Sequence, residues 1–200
     1  MSIRKTRKVR VRRQPEEARE LILASAETLL VEQGPLALKL AEVAAAAGVA
    51  NGTVLHHFGS IDGVHTALME RMTEQLVANV FAAAMREHDR DAQNAAVMEA
   101  LFDTFETRGA ARLAAWLELT GEWRRLTNVR DAVRAVAAKR AELDSAKVAE
   151  VEDMVLVAVV MAMGAGLFGR SLGQLIGKPA SRARKLAVEM LRERAGKLGA

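Results

Sequence analysis

Asn51, Thr53, His56 and His57 fall within one short stretch and offer an amide, a hydroxyl and two imidazoles, groups that hydrogen-bond, hold metals or move protons. Metal binding is the first chemistry to weigh. Adjacent residues on a helix point about 100° apart, so His56 and His57 cannot form the i, i+4 clamp that zinc favours, and His65 stands apart from both. No metal or other cofactor is expected. Gly173 to Lys178 has three residues between its glycines where a phosphate-binding loop has four, and it follows a helical pattern instead of a strand. No Ser-His-Asp or paired-carboxylate arrangement stands out from the many surface Glu and Asp. The chain has no cysteine, which excludes disulfides, thiolate metal sites and thiol nucleophiles and agrees with a reducing cytoplasm. An enzyme is therefore not expected. Two uses stay open for these polar groups: reaching a nucleic-acid groove, or a local structural one in which Asn51 caps its helix and His57 satisfies a backbone group.

The elements that would present them lie between Leu36 and Val64. Leu40, Val43, Ala44 and Ala47 recur at helical spacing until Gly48, where a helix needs a left-handed C-terminal residue. Val49 follows as a buried plug. A second short helix from about Asn51 to His57 then turns Val54 and Phe58 inward and leaves Asn51, Thr53 and His56 to point elsewhere. Upstream, Pro15 with Glu16 and Glu17 starts a helix that runs to about Gln33 and is broken by Gly34-Pro35. Downstream, Ser60 caps a longer fourth helix that continues to about His88.

Charge is distributed unevenly. The net charge is +4, yet seven of the first thirteen residues are Arg or Lys and none is acidic; taking those seven from the 29 basic residues leaves 22 against 25 acidic ones. The cations, Arg10, Arg12 and Arg13 among them, form an arm that reads as solvated and suited to neutralising phosphates or entering a minor groove. No apolar stretch follows the arm, so it does not read as a signal peptide. From Gln14 to Thr66 two basic residues face seven acidic ones, a formal charge of −5. Phosphate attraction must come mainly from the arm.

From about Leu21 to Leu68 the chain resembles the tetracycline-repressor (TetR) family. Ile22, Ala26, Leu29, Leu30 and Gly34 fit its first helix, Ala47-Gly48-Val49 its turn, and Gly52-Thr53 with His57-Phe58 its recognition helix. The resemblance implies that Asn51, Thr53, His56 and His57 contact phosphates and base edges; Asn can read adenine bidentately, and the others more often touch phosphate. Four positions depart from the family pattern. Leu55 replaces a phosphate-contacting tyrosine, Ile61 replaces a lysine, Ala50 replaces a capping serine, and Lys39 stands where a threonine opens the second helix, although Lys39 can itself contact phosphate.

The second half reads as helices with bulky inner faces. Val97, Leu101, Phe102 and Phe105 repeat until Gly109; Leu113, Trp116, Leu117 and Trp123 suggest one further helix; Val133, Val136 and Leu143 form the inner side of a charged helix over Asp131 to Asp144. Met98, Phe102, Phe105, Trp116, Trp123 and Met161 are candidates to line an apolar cavity, with Arg124 or Glu122 as an orienting polar group, and core packing explains them equally well. The uncharged run from Met154 to Gly169 spans sixteen residues, below the roughly 18 to 20 that cross a bilayer, and no membrane association is expected. Ala165, Gly169 and Gly173 recur every four residues as a smooth strip for another helix. Helices near 146–176 and 180–196 are therefore the dimerisation candidates, with ordinary packing within the chain as the alternative.

These readings combine into an all-α chain of about nine helices. A disordered basic arm (1–15) precedes a three-helix helix-turn-helix domain (16–66) and a helical effector-binding and dimerisation domain (67–200). The resemblance implies a homodimeric, cytoplasmic regulator of transcription, a repressor that binds double-stranded DNA at a palindromic operator and is released by a small apolar or aromatic effector. Leu55, Ile61 and the acidic body motivate a competing class, a helical dimeric interaction protein with lost or non-specific DNA binding.

Overall fold

The computed structural model describes residues 15–86, 89–144 and 147–196. The basic arm with Arg10, Arg12 and Arg13 lies outside the described residues, as does the side chain of Leu143. Among the described residues the chain is helical, with nine α-helices and no strand.

Helix α1 (Pro15–Gln33) begins on its proline with Glu16 and Glu17 in the first turn, where acids complement the positive end of the helix dipole. One 3-10 turn at Pro35–Ala37 leads to α2 (Leu40–Ala46) and α3 (Asn51–Phe58). Helix α4 (Ile61–Arg86) has 26 residues, which makes it about 39 Å long. Ser60 caps it as expected, its Oγ accepting the Gly63 N–H at 3.0 Å. Ile22, Leu23, Ala26 and Leu30 of α1 meet Val43, Val54, Val64, Leu68 and Met72 in one fully buried core.

Helix α5 (Arg90–Phe102) is capped by Asp89, whose carboxylate accepts the Ala92 N–H at 2.9 Å. A π-helical turn (Asp103–Thr107) joins it to α6 (Ala110–Leu119), and a 3-10 turn (Glu122–Arg125) precedes α7 (Thr127–Asp144). Helix α8 (Val148–Leu175) and α9 (Arg182–Ala195) complete the bundle. The single helix expected through Trp123 stops at Leu119, because Gly121 takes a left-handed φ of 76° and restarts the chain. Helix α7 starts four residues before Asp131, since Leu126 and Val129 pack against the first core and extend the buried face.

Two packing features position the functional regions. Ala110, Leu113 and Leu117 of α6 belong to the first core, so the core of the N-terminal helices continues into the second half of the chain. A second core of Met98, Leu101, Phe102, Met154, Ala158, Ala162, Ala165 and Leu191 joins α5, α8 and α9. The sixteen-residue uncharged run is part of a 28-residue α8, which by length and composition alone could cross a membrane. Length therefore does not argue against a span. Val151, Met154, Ala158, Ala162, Ala165, Gly169 and Gly173 of this helix are buried inside the bundle, while 28% of its most apolar stretch is buried in all. Part of the small-residue strip is covered by the chain itself: a Cβ added to Gly169 would stand 3.2 Å from the Ala183 Cβ of α9, and one on Gly173 would stand 3.1 Å from the Lys178 carbonyl oxygen in the turn before α9. Another face of α8 is left open, with Leu156, Val160, Phe168, Leu172 and Leu175 exposed at helical spacing, and Leu186 and Met190 of α9 are exposed as well.

Candidate functional site

The turn between α2 and α3 is set by backbone geometry. Gly48 adopts φ 64°, its N–H donates to the Ala45 carbonyl at 3.1 Å, and the Val49 N–H donates to the Ala44 carbonyl at 3.0 Å, so the end of α2 folds back without a side-chain cap. Ala50 takes an extended conformation and is the N-cap of α3 with no side-chain bond. Asn51 is therefore not spent as the cap and stays exposed in the first turn. Val54 is fully buried and Phe58 packs half-buried against the first core, which fixes the rotation of α3 about its axis.

That rotation decides which groups face outward. Asn51, Gly52, Leu55 and His56 are exposed; Thr53 and His57 are half-buried at the sides. The two imidazole rings stand edge to face with centroids 5.4 Å apart, and His57 also neighbours Phe58 at 6.2 Å. Lys39 is exposed at the N-cap of α2. The structure thus brings Lys39, Asn51, Thr53, His56 and His57 to the two helices of one motif. Among the described residues no group of three His, Asp or Glu could hold a metal ion.

His65 sits behind this surface, 3% exposed, with its Nε2–H donating to the Leu38 carbonyl at 3.2 Å and its ring edge-on to Trp116. Burial holds its pKa below the ordinary 6.5, against the raising effects of the Leu38 bond and of Asp62 and Glu122. An ion cluster fastens α1 to the rest of the molecule. Glu27 accepts from Arg71 of α4 and from the Nε–H of Arg108 at 2.8 Å; Arg71 also donates to the Leu23 carbonyl at 3.2 Å, and Arg108 also meets Gln75.

A cavity of about 170 Å³ opens between α4, α5, α7 and α8. Leu76, Val77, Val80, Val133, Val136 and Val155 are typical of its wall, and Thr73, Asn94 and Arg140 are its polar groups, with Arg140 donating to the Asn94 Oδ1 at 2.8 Å. Of the six apolar side chains expected at a cavity, Met98 lines this one. Phe102 is fully buried in the second core with the Arg184 guanidinium over its ring, Phe105 bridges the two cores, and Met161 packs against the second. Trp116 faces His65, while Trp123 is half exposed with Arg124 stacked on it, and Glu122 pairs with Arg125. The signal for the actual lining was present in α4, where Leu76, Val77, Val80 and Phe81 repeat at i, i+1, i+4 and i+5, on a helix read only as a connector.

Residues 22–68 match the family model described as bacterial regulatory proteins, tetR family. Among curated proteins, none matches the chain. The fold is shared with solved structures at low identity. SCO4454, a TetR-family transcriptional regulator from Streptomyces coelicolor, is 18% identical over 92% of this chain and 97% of its own, with a TM-score of 0.67. The multidrug binding protein EbrR, solved with imidazole, is 20% identical over 96% and 97%, TM-score 0.61. The superantigen PfiT is 20% identical over 90% and 96%, TM-score 0.58, so the architecture alone does not specify a role. What bears on a role is the segment 22–68 with its exposed α3 surface, and over that segment, about a quarter of the chain, the sequence is similar to the tetR family of bacterial regulatory proteins.

Proposed function

We propose that the chain acts in the cytoplasm as a homodimeric repressor that grips a palindromic operator through Lys39, Asn51, Thr53, His56 and His57 and lets go when a small apolar effector enters the cavity. The observation that carries the reading is where the cavity lies. Its wall includes Thr73, Leu76, Val77 and Val80 of α4, the same helix whose first turns, at Val64 and Leu68, form the floor of the DNA-reading core. A ligand that prefers one position of α4 changes DNA affinity by its differential binding to the two arrangements. An apolar cavity of about 150 Å³ suffices for benzene, so the space accommodates a single ring or a short alkyl chain, with Asn94 and Arg140 to orient a polar substituent. The open stripe from Leu156 to Leu175 with Leu186 and Met190 supports pairing of α8 and α9 with a second copy. The arm with Arg10, Arg12 and Arg13 supplies the positive charge that the folded DNA-reading body lacks.

Selection of bound fragments from the genome tests the regulator. An enriched inverted repeat is the expected outcome; sequence-independent retention would instead favour a helical interaction protein, the reading motivated by exposed Leu55 and the acidic body. Thermal shifts across lipophilic and aromatic compounds test the sensor, and stabilisation by no class would count against it.

A further inference from the structure

The outward face of α3 is composed of Asn51, Gly52, Leu55 and His56, and Leu55 is its one apolar side chain larger than a hydrogen atom. It is 41% exposed and takes no part in the core, which recruits Val49, Val54 and Phe58 from the same segment. A lone exposed leucine needs no explanation elsewhere on a surface, but here it occupies the middle of the helix that meets the groove. Leu55 lies one turn along from Asn51 on the same side, about 6 Å up the axis. Gly52 beside them is open, with nothing within 4 Å of where a Cβ would be, so it puts no side chain between this face and the base edges. In the major groove, thymine is distinguished by its C5 methyl, and apolar side chains are the groups that sense it. We infer that Leu55 is a specificity-determining residue that packs on a thymine methyl, next to the base pair reached by Asn51. The inference rests on the operator-binding reading above. The side chain cannot hydrogen-bond a phosphate, so a backbone anchor is replaced by readout of one methyl group.

Operator half-sites recovered by the fragment selection are resynthesised with each thymine of one half-site in turn replaced by deoxyuridine, which removes only the methyl. Each duplex is titrated with the full chain and with Leu55→Ala by fluorescence anisotropy. At one position the unmodified protein is expected to bind about fourfold more weakly, the effect of uncovering one methyl-sized group, while Leu55→Ala binds thymine and uracil alike. The variant's melting temperature is expected to stay near that of the unmodified protein, because the side chain lies outside the core. A repeat whose every thymine tolerates uracil equally in both proteins would overturn this inference alone. Failure to enrich any repeat would overturn the operator reading and this inference with it.

Discussion

Replacing Glu27 by alanine should cost the protein far more stability than an ordinary helix-surface change. Glu27 lies on α1, is 19% exposed at its side chain, and receives both Arg71 (13%) and Arg108 (24%). Truncation leaves two guanidinium groups without their shared carboxylate. Removing one partner of a fully buried pair costs about 3–5 kcal/mol, and hydrogen bonds to charged groups contribute about 1.5–3 kcal/mol each. Two features reduce the loss here. Arg71 retains Glu20 at 3.5 Å and the Leu23 carbonyl, and Arg108 retains Gln75. About 2–3 kcal/mol is the resulting expectation, which for a chain of this size lowers the melting temperature by roughly 5–10 °C. Circular dichroism melts at fixed protein concentration measure it, because the stability of the proposed dimer would depend on concentration. Glu27→Gln, which keeps one acceptor oxygen, should fall by less. A second cycle with Arg108→Ala should show the two losses to be less than additive, since both remove the same contact. A shift under 2 °C for Glu27→Ala, or strict additivity in the cycle, would refute the claim that this carboxylate fastens α1 to α4 and to the start of α6.

His65 gives a pH dependence of stated sign. Its folded-state pKa is depressed by burial, so the unfolded chain takes up a proton that the folded chain refuses; stability is flat above the ordinary 6.5 and falls as pH drops from there toward the depressed value. Melts of the unmodified protein and His65→Gln at pH 7.5 and 5.5 should differ in slope, and equal slopes would contradict it. Deleting residues 4–13 removes all seven arm cations. Each one engaged with a phosphate contributes roughly 0.9 to the slope of log K against log salt, so gel shifts should show both weaker binding and a flatter salt dependence; undiminished affinity would refute the role of the arm. Phe168→Glu, at a side chain 56% exposed on the open stripe of α8, should convert the proposed dimer to monomer on size-exclusion chromatography while preserving helicity, whereas an unchanged elution volume would count against this pairing surface. Ala158→Phe, directed into the cavity, should abolish any ligand-induced thermal shift, and a retained shift would locate the effector outside it.

The DNA-reading unit was legible from sequence because its determinants are local. A glycine-proline break at Gly34-Pro35, the apolar spacing of Leu40, Val43, Ala44 and Ala47, and a left-handed residue at Gly48 each act within a few positions and require no distant partner. The cap at Ser60 and the inward turn of Val54 follow from the same short-range rules. In the second half, amphipathic spacing marks that a face is buried without saying against what. Phe102 and Met161 therefore enter a core, Trp123 remains half exposed, and the wall of the cavity is drawn from α4, α5, α7 and α8 together. The strip of Ala165, Gly169 and Gly173 likewise specified a close contact, and only packing brought Ala183 of α9 onto Gly169 and the turn before α9 onto Gly173. The clamp on Glu27 joins residues 44 and 81 positions apart in the chain. Helix type and register thus came from interactions within one or two turns, whereas cavity, clamp and open seam exist only once several helices compete for the same volume.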